Sequence, residues 1–153
     1  DDDFVVVSPD VGSVTRARNV ASKLGCSMAI IDKRRPKANQ LEVMNIIGDI
    51  KGKTAILVDD MIDTAGTLCK AAEVLLEKGA KSVRACATHG ILSGGAVERI
   101  HNSVMEEVFI TDTVPHPELA NDPKIKIISM TEVFARIIHK GYNYESISGD
   151  FIF

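Results

Sequence analysis

The chain has 153 residues, a net charge of −3 and 25% charged residues. That is the size of one ordinary domain, and it excludes both a disordered segment and a globally basic nucleic-acid binder. Hydrophobic residues make up 45%, yet aromatics only 5%, and Trp is absent, so the core has to be aliphatic, as in a buried parallel sheet.

The chain opens Asp1-Asp2-Asp3 and enters an apolar run at once, which leads us to expect a fragment whose N-terminal part is absent. Phe4 to Ser8 (FVVVS) is short and β-branched and reads as a buried strand. Pro9 and Gly12 mark a turn. Ala17, Val20, Ala21 and Leu24 follow at helical spacing, with Gly25 where a C-cap belongs. Met28 to Asp32 is a second strand, Lys33 to Asn39 a basic, Pro-broken loop, and Leu41 to Ile47 an edge or flanking strand. Gly48 to Thr54 imitates a nucleotide-binding P-loop, but only three residues separate its glycines and Lys53-Thr54 lead into a strand, so it reads as a turn.

Thr54 to Val58 (TAILV) is the clearest strand. Asp59 to Gly66 reads as a loop, with a helix opening at Asp63 and carrying Leu68, Ala71, Ala72, Leu75 and Leu76 on one face. Ser82 to Thr88, Glu107 to Thr111 and Ile125 to Ser129 are further strands. A Gly-rich loop from Gly90 to Gly95 leads to a short helix at Ala96 to His101, and a last helix ends near Gly141. Strands alternating with helices predict an α/β fold: a mostly parallel sheet of about five strands with helices on both faces. Ligands of such sheets bind beyond the carboxyl ends of the strands, which singles out the loops 9–13, 33–39 and 59–67.

The three cysteines, Cys26, Cys69 and Cys86, are far apart with no C-x-x-C pair, the pattern of small buried thiols in a reducing cytoplasm. No apolar run approaches the roughly 18 residues of a membrane span. His101, His116 and His139 read as surface or capping residues, and His89, at a strand end, as structural or as a neighbour of a ligand.

In VDDMIDTAGT a buried strand runs into the acids Asp59 and Asp60 and then into Asp63, Thr64, Ala65, Gly66 and Thr67. The first turn of a helix offers unpaired N–H groups and the positive end of a dipole. Ala65-Gly66 lets a phosphate approach the backbone, and the hydroxyls of Thr64 and Thr67 add donors. The two carboxylates, acceptors only, suit sugar hydroxyls. A phosphate at one end and a diol at the other describe a ribose phosphate. One of these residues could equally be a plain N-cap, but that leaves the two adjacent acids unexplained.

This string resembles the phosphoribosyl-diphosphate motif of type I phosphoribosyltransferases, in the narrower form found in ribose-phosphate pyrophosphokinases. The resemblance extends along the chain through SPDVG, IIDKRRP, EVMNIIGDIKGKTAI, ATHG and AVERI. It implies a phosphoribosyltransferase-like fold and the C-terminal half of an enzyme that transfers the diphosphoryl group of ATP to ribose 5-phosphate. It also implies that Asp59 and Asp60 hold the ribose hydroxyls and that residues 63–67 cradle the phosphate. Lys33 and Arg35, on a mobile flap, would stabilise charge during transfer. Asp10 would be a ligand of Mg²⁺, completed by a histidine of the absent half. Arg34 and Lys37 are either part of that flap or solvated, and Arg16 and Arg18 structural or nucleotide-facing. Ser13 departs from the family's usual Gly. Ser146-Ile147-Ser148 resembles a segment that contributes to an allosteric site between subunits. A homo-oligomer of hexamer type, in the cytoplasm and without nucleic acid or membrane, is expected. The rivals are a base phosphoribosyltransferase, which has no need of the Lys-Arg-Arg run, a non-catalytic associated subunit, and an RNA-binding regulator on the same fold.

Overall fold

The computed structural model describes residues 3–34 and 43–151. Seven strands form one sheet: β1 (Phe4–Ser8), β2 (Ser27–Arg34), β3 (Val43–Ile47), β4 (Thr54–Ile62), β5 (Ser82–Gly90), β6 (Glu107–Thr111) and β7 (Ile125–Ile128), in the order β3-β2-β1-β4-β5-β6-β7. Only β3 runs antiparallel to its neighbour, which makes it the edge strand expected for that stretch. The α/β class holds, and the sheet is wider than the five strands expected. β6 is short, but its Val108 and Ile110 are buried and it pairs in parallel with both β5 and β7.

The strands alternate faces, as the pleat requires. Val5 and Val7 of β1 and Leu57 of β4 pack on helices α2 (Gly66–Glu77) and α3 (Ala96–His101) through Leu68, Ala72, Leu75 and Ile100. Val6 and Val58 face the other way, onto Ala17 and Ala21 of helix α1 (Val14–Leu24). The spacing of Ala17, Val20 and Ala21 therefore sets which face α1 buries, and Gly25 ends it in a left-handed conformation. Residues 48–54 form a turn in which Lys53 Nζ pairs with Asp49 at 3.4 Å and Thr54 opens β4, so the P-loop imitation is only that. Helix α4 (Thr131–Tyr142) is tied down by Asp112, which accepts the amide of Met130 at 2.8 Å. It buries none of its residues, and Phe134 and Ile138 on its apolar stripe are exposed.

The chain's path creates a switch point. From β1 it moves outward to β2 and β3 on one side, then returns to place β4 on the other side of β1. The connections after β1 and β4 lead to helices on opposite faces, so a crevice opens at their carboxyl ends.

His116 is a correction to the sequence reading. Its side chain is only 13% exposed. Nε2 lies 2.6 Å from the carbonyl oxygen of Gly90, and Nδ1 lies 2.8 Å from Glu118. It fastens the segment after β6 to the end of β5. Burial pulls its pKa down, but those two acceptors outweigh it and hold the imidazole above its ordinary value. Replacing His116 with Ala should cost about 1–3 kcal/mol by leaving a carbonyl unpaired. A folded-state pKa raised above 6.5 makes this contribution full below about pH 6.5, and it fades as pH rises through the folded value. Urea denaturation of both proteins at pH 5.5 and pH 8.5 measures the difference, which should shrink at the higher pH.

Candidate active site

β4 outlasts β1. The last β1–β4 pair is Val7 with Leu57, whereas β4 continues beside β5 as far as Ile62 opposite Gly90. Asp59 and Asp60 therefore stand inside a strand, where a loop was expected, because β5 supplies ladder partners to its own end. On the β1 side they face the turn 9–13. Asp10 Oδ1 accepts the amide of Ser13 at 2.8 Å and closes that turn. The hydroxyl of Ser13 lies 3.5 Å from Asp59 Oδ1.

Arg16, one turn further along α1, spans the acids: Nη1 lies 3.3 Å from Asp59 Oδ1 and Nη2 lies 3.4 Å from Asp60 Oδ2. In this structure Arg16 thus bridges the acid pair, as the structural one of its two expected roles would have it. Burial pushes the Asp59 carboxyl above its ordinary value, and the charges of Asp60 and Asp10 add to the push, against the amide of Asp60. Asp60 is held below its ordinary value, first by hydrogen bonding with Asp59 and then by Arg16.

Asp59 and residues 61–68 line a cavity of about 160 Å³, equal to roughly five waters of liquid, a size for a phosphate group. Asp60 is not among its lining residues; its half-exposed carboxylate lies on the Arg16 side. α2 opens at Gly66, three residues later than expected. Ala65 immediately before it is left-handed, at φ 61°, a conformation rare for a residue with a Cβ. Among the described residues no side chain caps this helix, and the first helical bond runs from Cys69 N to Ala65 O. The first-turn amides thus remain available for an anion.

Lys33 is the penultimate residue of β2. Ile30 is level with Ser8, so Lys33 stands beyond the end of β1 on the carboxyl side of the sheet. Arg35 and Lys37 lie outside the described residues. Among those described, no group of three or more His, Cys, Asp and Glu could hold a metal. The carboxylate of Asp10, whose Oδ1 closes the turn, is a single hard oxygen donor of the kind Mg²⁺ accepts. His89 Nδ1 lies 2.9 Å from Thr113 Oγ1, which ties it to a β6 neighbour. Asp150, after the Ser146–Ser148 segment, pairs with Arg136 and Lys140 of α4. Ser93 and Arg99, which sequence patterning did not mark, bond the loop before α2.

A switch-point crevice carrying an acid pair and an open helix start defines a phosphoribosyltransferase-type α/β protein, and comparison with known proteins narrows this. The family model described as phosphoribosyl synthetase-associated domain matches residues 33–152, so the chain belongs to that family. It is 62% identical over 147 residues to the ribose-phosphate pyrophosphokinase of Caldanaerobacter subterraneus, covering 96% of this chain and 46% of that protein. It is 57% identical to that of Campylobacter jejuni, covering 97% and 47%. The chain thus spans about half the length of the curated relatives it matches. The crystal structure of phosphoribosylpyrophosphate synthetase from Mycobacterium smegmatis superposes with a TM-score of 0.85 at 40% identity, over 94% of this chain and 46% of that one. Orotate phosphoribosyltransferase from Aeropyrum pernix shares the fold at a TM-score of 0.56 and 16% identity, over 90% of this chain and 66% of that one.

Replacing Arg16 with Met should let Asp60 titrate at higher pH than in the native chain, because one of the interactions favouring its charged form is gone. Carbon-13 NMR of the carboxyl groups reads this directly; an unmoved Asp60 would show that Arg16 is only a bystander.

Proposed function

We propose that this chain is the sugar-phosphate-binding, C-terminal half of a ribose-phosphate pyrophosphokinase, and that it binds ribose 5-phosphate in the crevice between β1 and β4. The observation that carries this is the cavity bounded by Asp59 and by the uncapped start of α2. The phosphate sits on residues 63–67, held by the amides around Ala65 and Gly66 and by the hydroxyls of Thr64 and Thr67. Asp59 and Asp60 accept hydrogen bonds from the ribose hydroxyls. This polarity, donors at one end and acceptors at the other, admits the sugar in one direction. Its anomeric end points toward the carboxyl ends of β1 and β2, where Asp10 and Lys33 stand.

There the anomeric oxygen attacks the β-phosphorus of ATP. The bond from that phosphorus to the oxygen bridging the α-phosphorus breaks, AMP departs, and the hydroxyl proton is lost to solvent. Lys33 and Arg35 offset the negative charge on the transferring group, a task of positioning and electrostatics. Mg²⁺ held by Asp10 and water would neutralise phosphate charge. The adenine site and the remaining metal ligand belong to the preceding half of the same polypeptide. The full enzyme is a cytoplasmic homo-oligomer of hexamer type, with no nucleic-acid or membrane partner, that supplies 5-phosphoribosyl 1-diphosphate for nucleotide synthesis.

Isothermal titration of this chain with ribose 5-phosphate tests the binding. Asp59→Asn and Asp60→Asn should each weaken it about tenfold or more while the fold persists, since each removes a charged acceptor. Because Asp59 titrates above an ordinary carboxylate, affinity should fall with decreasing pH earlier than a free Asp would dictate. Release of AMP from ATP and ribose 5-phosphate by the full-length enzyme tests the reaction. If the sugar phosphate binds equally well to both variants, the acid pair has another role.

A further inference from the structure

The loop before α2 is held by one segment from behind. Ile91 N and Leu92 N both donate to Ile62 O, at 2.9 and 3.1 Å, and Ser93 N donates to Asp63 O at 3.1 Å. Arg99 Nη1 donates to Thr64 O, and Ser93 Oγ to Asp63 Oδ1. Three successive carbonyls, of Ile62, Asp63 and Thr64, are thereby drawn to residues 91–99.

In a trans peptide the carbonyl of one residue and the amide of the next point in opposite directions. The amides of Asp63, Thr64 and Ala65 are therefore turned away from that segment. The cavity lies on that other side: residues 61–68 line it, and none of residues 90–99 does. Among the described residues, those of Thr64 and Ala65 donate to no atom of the chain.

The third bond differs in kind from the first two. Backbone amides from a strand end and its turn hold Ile62 and Asp63, but Thr64 depends on a side chain. Arg99 projects from α3, which is anchored by the buried Ala96 and Ile100, and its other nitrogen, Nη2, lies 3.4 Å from Gly94 O. Thr64 is the residue before left-handed Ala65, so the orientation of the peptide between them is set at this bond. A charged donor is also a stronger partner than a neutral amide.

We infer that Arg99 is a positioning residue for phosphate recognition: by holding Thr64 O from behind, it keeps the amide of Ala65 aimed into the cavity. It touches no substrate. This inference rests on the function proposed above, in which that cavity takes the phosphate of ribose 5-phosphate.

Two measurements test it, on Arg99→Met, which keeps the apolar stem, and on Arg99→Lys, which keeps one cationic donor. The first needs no ligand. NMR of the ligand-free chain reads the peptide between Thr64 and Ala65: the carbonyl carbon signal of Thr64 and the amide signal of Ala65 should both shift in Arg99→Met as the charged donor is lost, return part of the way in Arg99→Lys, and leave the buried amides of β4 and β5 unaltered. Unmoved signals at Thr64 and Ala65 overturn the inference, as do equal shifts throughout the sheet, which would mark general loosening. The second compares ribose 5-phosphate with ribose by titration calorimetry. Arg99→Met should weaken the phosphorylated sugar about tenfold and leave the weak binding of ribose as it was, with part of the loss restored by Lys. If the native chain binds the sugar phosphate and Arg99→Met binds it equally well, the inference falls and the proposed function stands. If the native chain does not bind it at all, both fall.

Discussion

The site depends on the orientation of a few peptide planes between Ile62 and Gly66. A phosphate can be held by backbone only where several amides converge, and a trans peptide presents its amide on one side only if its carbonyl is satisfied on the other. Here the carbonyls of Ile62, Asp63 and Thr64 find donors in residues 91–99. That requires β5 to run as far as β4, so that the turn after Gly90 arrives behind the loop. Glycine at 90 eases that approach: a Cβ there would come within 2.6 Å of Ile110 Cδ1, so the Ile110 side chain would have to shift. The anion cradle is in this sense a product of the strand ladder, two elements away from the residues that touch the ligand.

The second constraint is electrostatic. Two adjacent carboxylates at a strand end repel, and burying either disfavours its charge. The chain answers with one guanidinium, Arg16, which reaches both, and with the amide of Asp60, which Asp59 Oδ1 accepts at 2.9 Å. As a surface pair Arg16 adds little to stability; its effect is on the charge state. Asp59 is left the more reluctant to ionise and Asp60 the readier, so the two acids differ in basicity. Arg16 also connects the acid pair to α1 and to the turn closed by Asp10 and Ser13, so the acids and the proposed metal ligand share one corner of the crevice.

What could be read from the sequence follows the range of the interactions involved. Strands and helices came from local periodicity, and β1, β6 and α3 were placed at the residues the structure gives them. The acid pair and the proposed phosphate loop could be picked out because VDDMIDTAGT is a contiguous string. The length of β4 was not, because Asp59 to Ile62 become strand only through pairing with β5. Nor was the start of α2, since residues 63–65 look helical until the carbonyls of Asp63 and Thr64 are claimed from 91–99. Arg16 lies 43 residues from Asp59 and Arg99 lies 35 from Thr64. Nothing in composition or spacing connects such pairs: Arg16 was left between a structural and a nucleotide-facing role, and Arg99 was not singled out. His116 was missed for the same reason, its partner Gly90 being 26 residues away.

The division of labour in the crevice follows from what each strand end can offer. β4 ends against the open start of α2 and so supplies donors for an anion. β1 ends in a turn closed by Asp10 and can offer a carboxylate to a hard cation. β2 continues past the level of β1 and carries Lys33 beyond it. Read across the sheet from β4 through β1 to β2, the order is an anion site, then an acid, then a cation. In the proposed function, a sugar phosphate laid along that row would meet the first with its phosphate, and its reacting end would fall where opposite charges meet. Such a place suits the transfer of a highly charged group, because the charge that moves is offset on arrival.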